Sequence, residues 1–260
     1  MIDTHCHLTS GQLLPRVTEV IEDAAKAGVD RIITVATDGD DAMAARELAS
    51  IHSGVFFSSG IHPLYADSQW KWDLVRKAAT DARCVAWGEL GLDKHYDKPA
   101  LDVQLELLES HLSLIEEVGD DRPIIVHCRK AVDTLLPIFE ASSISGDRFV
   151  FHCFTETAAD ATKILEFGSM ISFTGVVTYK NASEVVAAAQ LVPIDRIMVE
   201  TDAPYLPPEP VRKIRPNEPQ YVTHTSSFLA SLKGVEPRTF EHQVDANAVR
   251  FFRLPKENKR

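Results

Sequence analysis

Short apolar runs rich in β-branched and aromatic residues recur along the chain, and each is followed by a stretch whose apolar positions return at helical spacing. RIITVA (31–36), PIIVHC (123–128), RFVFHC (148–153) and RIMVE (196–200) have too few polar positions for a strand with one wet face. They read as parallel strands covered on both sides. Between them, Val103, Leu107, Leu108, Leu112 and Ile115 form one stripe at helical spacing, the mark of an amphipathic helix. Eight strand-like segments emerge: Met1 to His7, Arg31 to Thr37, Val55 to Ile61, Cys84 to Glu89, Pro123 to Cys128, Phe149 to Cys153, Ser169 to Phe173 and Arg196 to Asp202.

Eight strands alternating with helices predict a single (β/α)8 TIM barrel, with residues 1–260 forming one domain. A doubly wound open sheet is the alternative. The run PYLPPEPVRKIRPNEP (204–219) is too rich in proline for helix or strand and reads as a long loop at the barrel mouth. It leads into a helical stretch, Tyr221 to Leu232, and a closing segment around Asn247 to Phe252. No internal repeat or flexible linker divides the chain.

A chain of 260 residues with 45% in the hydrophobic class can bury a large core. No run reaches the ~18 apolar residues of a membrane helix, and the start, MIDTHCH, lacks the features of a secretory signal. A cytoplasmic protein without membrane association or an obligate protein partner is expected. Four scattered cysteines without a C-x-x-C pair fit reduced thiols. The formal net charge of −11 argues against a generally basic surface for nucleic acid. An anionic substrate then needs a local source of positive charge, and bound metal ions are one.

His5 and His7 stand one residue apart in the first strand, where a period of two aims both side chains to one side. Glu89, His127, His152 and Asp202 each fall at the carboxyl end of a different predicted strand, the end at which this barrel places its chemistry. Singly, each has an ordinary reading as a capping, turn or hydrogen-bonded residue. Six ligand-type residues gathered at one end of one barrel point instead to metal. Four imidazoles and two carboxylates exceed what one tetrahedral ion uses, so two divalent ions with one bridging carboxylate are expected, and Asp202 is the candidate base. Cys6, Cys128 and Cys153 neighbour these residues and should face the opposite way, as packing residues. His62, in GIHP, and Arg129, two residues after His127, are candidate substrate contacts. Asp93, in GELGLD, is placed to orient a ligand.

The pieces DTHCHL (3–8), GIHP (60–63), GELGLD (88–93), PIIVHCRKA (123–131), FHCFT (151–155), TGVVTYKNA (174–182), ETDAPYL (200–206) and NEPQYV (217–222) follow in order along most of the chain. Together they make it resemble the TatD-like metal-dependent deoxyribonucleases, within the amidohydrolase-type barrels. The resemblance implies that His5, His7 and Asp202 bind one ion, that His127 and His152 bind the other, and that Glu89 bridges. It also implies Mg²⁺-dependent exonuclease action on DNA, whereas a His-rich shell by itself suits Zn²⁺, Mn²⁺ or Fe²⁺ better. The chain departs from the family pattern at Thr9, where an acid is common, at Leu64, where a histidine is common, and at Pro216, where an arginine is common. Arg212, Lys213 and Arg215 lie close to this last position. None of these changes touches an expected ligand.

The leading expectation is thus a deoxyribonuclease of 3′-5′ exonuclease type, with single-stranded DNA or another phosphoester as substrate. The alternative directs the same metals at a carbonyl carbon, as in an amidase, a lactonase or a deacylase acting on an aminoacyl ester. A third reading, an inert barrel kept for binding, leaves the six ligand-type residues without a use.

Overall fold

The computed structural model describes residues 1–255. Among these, eight parallel strands form one sheet in chain order. They are β1 Ile2–Cys6, β2 Arg31–Thr34, β3 Val55–Ser59, β4 Cys84–Asp93, β5 Ile124–Arg129, β6 Phe149–Phe151, β7 Met170–Phe173 and β8 Ile197–Val199. The helices between and after them are α1 Val17–Lys26, α2 Gly39–Ile51, α3 Trp72–Ala79, α4 Leu101–Val118, α5 Val132–Ala141, α6 Ala158–Glu166, α7 Ser183–Leu191, α8 Val222–Lys233 and α9 Pro237–Phe252. The sheet curls into a nearly closed (β/α)8 barrel, as the alternation of patterns predicts. No helix of the described residues is long and apolar enough to cross a membrane.

Strand periodicity sorts the core into two parts. Ile32, Phe57, Ile124, Phe149, Phe151 and Phe173 pack in the larger cluster with helix residues such as Leu107, Leu108 and Phe139. Ile33, Phe56, Ile125, Val150, Met170 and Met198 form a second cluster with Phe252 and Leu254. Each such side chain contributes about 1.5–3 kcal/mol by leaving water. Two residues beyond Ile125, Val150 and Met198 come His127, His152 and Glu200. The alternation that buries the apolar layer therefore raises a polar layer above it on the same side.

The barrel closes through the segment after β8. Asp202 N–H donates to His5 O at 2.9 Å, His7 N–H donates to Ala203 O at 2.7 Å, and Cys6 bridges Ala203. Below this, Thr201 donates to the buried carboxylate of Asp3 from its amide at 2.9 Å and its hydroxyl at 2.6 Å. The seam that joins the first strand to the last thus carries His5, His7 and Asp202 together.

Several boundaries differ from the sequence expectation. β4 continues to Asp93, pairing as far as Arg129 of β5, so Glu89 lies within the strand and not at its end. Gly88 (φ 116°) and Gly91 (φ 144°) flank Glu89, in conformations that other residues rarely adopt, and a Cβ on Gly91 would meet His127 O at 2.0 Å. The register shifts between Trp87 and Leu90, which turns the Glu89 side chain inward in mid-strand. β6 and β8 stop early, at Phe151 and Val199, leaving His152 and Asp202 just beyond the regular strand. The closing segment is the end of α9, a helix of 16 residues that begins at Pro237.

Candidate active site

Toward the carboxyl end of the barrel, His5, His7, His62, Glu89, His127, His152 and Asp202 come together, each from a strand or from the first three residues after one. Glu89 sits at the centre, and its two oxygens face different neighbours. Oε1 lies 3.5 Å from His5 Nε2 and 3.6 Å from His7 Nε2. Oε2 lies 2.8 Å from His152 Nε2, 3.3 Å from His127 Nδ1 and 3.7 Å from His62 Nε2. Asp202 Oδ1 closes the first group, 3.3 Å from His7 Nε2 and 3.8 Å from His5 Nε2. Burial opposes ionisation of Glu89, yet the surrounding imidazoles, His152, His5 and His127 among them, hold its carboxyl well below the usual range. Burial likewise opposes ionisation of Asp202, and the hydrogen bond and charge of His7 with the charges of His5 and His152 outweigh it.

The surroundings fix which atom each histidine presents. His7 Nδ1–H donates to Val35 O at 3.0 Å, which turns Nε2 inward. Asp93 accepts from His127 Nε2 at 3.0 Å and leaves Nδ1 facing Glu89, the orienting role expected of it. The carboxyl of Asp93 feels burial, but the His127 hydrogen bond and the His95 amide bring it down to about 2. Behind His152 stands Glu200, 3.4 Å from Nδ1 and itself accepting from Ser172 Oγ and Cys153 N, each at 2.6 Å. Sequence reasoning missed Glu200, although its place two residues before Asp202 was the available signal.

His62 differs from the others. Its Nδ1 accepts the Leu64 amide at 3.0 Å, and burial pushes its imidazole down to about 3. A neutral ring that accepts at Nδ1 carries its hydrogen on Nε2. His62 therefore offers the centre a donor and not a lone pair, and in this structure that Nε2–H donates to His127 Nδ1 at 3.1 Å. Arg129 lies over the ring of Tyr96 at 5.3 Å and forms no salt bridge among the described residues. Arg212 covers Tyr179 at 3.9 Å and pairs with Glu209 at 3.7 Å. Arg215 turns back to the carbonyls of Arg212 and Ile214.

The cysteines divide. Cys6 and Cys128 are buried in the core, as alternation requires. Cys153 is not, because β6 has already ended; it stands partly exposed in a left-handed conformation (φ 46°), 3.6 Å from Thr174 Oγ1. Asp202 shares that conformation (φ 55°), which is costly for a residue with a Cβ and least so for Asp and Asn.

The cluster fits metal. Both ring nitrogens of His5 are buried without a hydrogen-bond partner, while its ring stacks on His152 at 3.8 Å. Leaving such groups unpaired costs about 1–3 kcal/mol each. His5, His7 and Asp202 present ligand atoms within 4.8 Å of one another, as do Glu89 and His127, and His5, His152 and Glu200.

A family model described as TatD related DNase matches residues 2–253. The chain belongs to this family. TatD-family relatives include the Escherichia coli (strain K12) protein called uncharacterized metal-dependent hydrolase YcfH, 35% identical, with 98% of this chain and 96% of that protein covered. Another is the 3'-5' ssDNA/RNA exonuclease TatD of Erwinia billingiae, 33% identical, with 98% of this chain and all of that one covered. Among solved structures, the E. coli TatD homologue YJJV superposes with a TM-score of 0.91 at 27% identity, over 98% of each chain. The chain is thus a TatD-family metal-dependent hydrolase, and its cluster of histidines and carboxylates supports the use of divalent metal.

Proposed function

We propose that this TatD-family chain, acting as one domain in the cytoplasm, is a 3′-to-5′ exonuclease on single-stranded DNA that works with two divalent ions. The observation that carries this reading is the division of partners around Glu89: His5 and His7, with Asp202, on the Oε1 side, and His127 and His152 on the Oε2 side. Such an arrangement suits a carboxylate shared between two ions, with His5, His7 and Asp202 as the remaining ligands of one and His127 and His152 of the other. The relative named as a 3'-5' ssDNA/RNA exonuclease supports the substrate class.

When bound, the ions supply Lewis acidity toward a phosphoryl oxygen and toward water. Asp202, held as a carboxylate at the edge of the first group, takes the proton of the attacking water. The water oxygen bonds to phosphorus, the P–O3′ bond breaks and the 3′ oxygen leaves as a hydroxyl, taking up the proton that Asp202 accepted. His62 Nε2–H donates to a phosphoryl oxygen, where a neutral donor stabilises growing negative charge. The guanidinium of Arg129, which forms no salt bridge among the described residues, receives the phosphate of a neighbouring nucleotide.

The test is hydrolysis of 3′-labelled and 5′-labelled single-stranded DNA by metal-stripped protein with Mg²⁺, Mn²⁺ or Zn²⁺ restored singly. Metal-dependent, stepwise loss from the 3′ end is expected. No cleavage under any metal would overturn the nuclease reading and direct attention to carbonyl substrates.

Two further expectations arise here. Burial disfavours charge on His7, but its hydrogen bond to Asp202 and the charges of Glu89 and Asp202 push it up to about 9. In the metal-free protein at neutral pH, Nε2 therefore carries a proton that an ion must displace. Metal affinity should rise with pH up to about 9, by about tenfold per unit for each proton released. Calorimetric titration in buffers of different ionisation enthalpy checks this, and pH-independent affinity between pH 6 and 8 would contradict it. Reversing charge in the mouth loop, by Arg212→Glu with Lys213→Glu, should weaken DNA binding about tenfold or more at low salt and flatten its salt dependence, as measured by fluorescence anisotropy. An unchanged salt slope would remove the loop from the binding surface.

A further inference from the structure

Large rings are exposed at the same end of the barrel as the cluster. Tyr205 is 54% exposed, Tyr96 51% and Tyr65 41%. The hydroxyls of these three make no hydrogen bond among the described residues, so no polar tie to the protein accounts for their placement. Tyr205 stands edge-on to His7, with ring centroids 6.2 Å apart. Tyr65 stands edge-on to His62 at 6.4 Å. His7 faces Oε1 of Glu89 and His62 faces Oε2, so the two rings flank the centre from different sides.

Their backbones are held. The Tyr205 amide donates to Asp202 O at 2.9 Å, and its carbonyl accepts from Asn217, which also ties down Thr201 O. Tyr65 ends a short helical turn capped by His62, and its amide donates to His62 O at 2.8 Å. A half-exposed ring on a held backbone loses less entropy when a flat partner stacks on it than one on an untethered loop. Beyond the tyrosines, the mouth carries cations, Arg129 over Tyr96 and Arg212 over Tyr179, despite the acidity of the whole chain.

We infer that Tyr205 and Tyr65 are the base-stacking platforms of the substrate site. One receives the base on one side of the scissile phosphate and the other the base on the far side, with the phosphate seated over Glu89. This inference rests on the nuclease reading and narrows it: the substrate is a single-stranded oligonucleotide of at least two stacked bases, recognised by π-faces and backbone charge without base-edge readout. Every base offers such a face, so little sequence preference follows.

The experiment uses the full-length wild-type protein loaded with divalent ions and probes whose 3′-terminal linkages are nuclease-resistant phosphorothioates, so that binding is read without turnover. The probe is a single-stranded oligonucleotide with 2-aminopurine at its 3′ end, compared with one lacking its two 3′-terminal bases. Binding should quench 2-aminopurine fluorescence. Tyr205→Ala or Tyr65→Ala should weaken affinity by about fivefold to a hundredfold, and Tyr205→Trp should restore it. The abasic probe should bind more weakly and respond little to either alanine substitution. Unchanged affinity in both alanine variants, equal losses on both probes, or no binding of the oligonucleotide would each overturn the inference. If wild-type protein cleaves no DNA under any metal while the quench and its tyrosine dependence persist, the nuclease chemistry falls and the stacking platforms stand.

Discussion

Replacing Asp202 by asparagine should lower turnover on single-stranded DNA by about 10³-fold or more while leaving the fold unchanged. Asparagine keeps the shape and can still accept from His7 Nε2, which lies 3.3 Å from Oδ1. It also tolerates the left-handed backbone (φ 55°) that other side chains resist. What it loses is the charge that the proposed roles of residue 202, base and metal ligand, require. The barrel seam depends on backbone groups at this point, Asp202 N–H to His5 O, which the substitution does not touch. Circular dichroism and thermal unfolding of the variant should therefore match the wild type. Retained turnover would sink the assignment of Asp202.

Glu89→Gln should have a comparable effect by a different route. The carboxylate is buried at the centre of five imidazoles and, among the described residues, is the one acidic group that faces both His5 and His7 on one side and His127 and His152 on the other. A glutamine has one oxygen to offer and turns two hydrogens toward whatever lies on the other side. Bound metal, counted by elemental analysis after gel filtration, should fall from two equivalents to one or fewer. Turnover should drop by about 10³-fold or more with it. Two tightly held equivalents in the variant would show that Glu89 does not bridge.

Much of this centre was legible in the sequence because parallel barrels confine chemistry to one end of their strands. RFVFHC and PIIVHC show apolar positions that can only be interior, and the residue after the apolar run is then at the rim. His127 and His152 follow from that directly. Glu89 was found for a partly mistaken reason: it lies in mid-strand, and it faces inward through the irregular register that Gly88 and Gly91 permit. No hydrophobic pattern reports such a shift. Cys153 shows the limit of the alternation rule, which assigned it to the core; the rule stops where β6 stops, at Phe151. Glu200 was hidden because a carboxylate that holds another side chain in place carries the same letter as one on the surface. The exposed tyrosines escaped notice altogether, since exposure and proximity to the cluster arise only when separate loops fold to one mouth.

Stepwise reconstitution tests the proposed two-ion centre most directly: metal-stripped protein is titrated with Mn²⁺ while bound metal and hydrolysis of single-stranded DNA are followed in the same samples. Activity should stay near zero through the first equivalent, appear as the second binds and level off at two. Full activity at one equivalent, or two bound ions without hydrolysis, would contradict a phosphodiesterase built around Glu89.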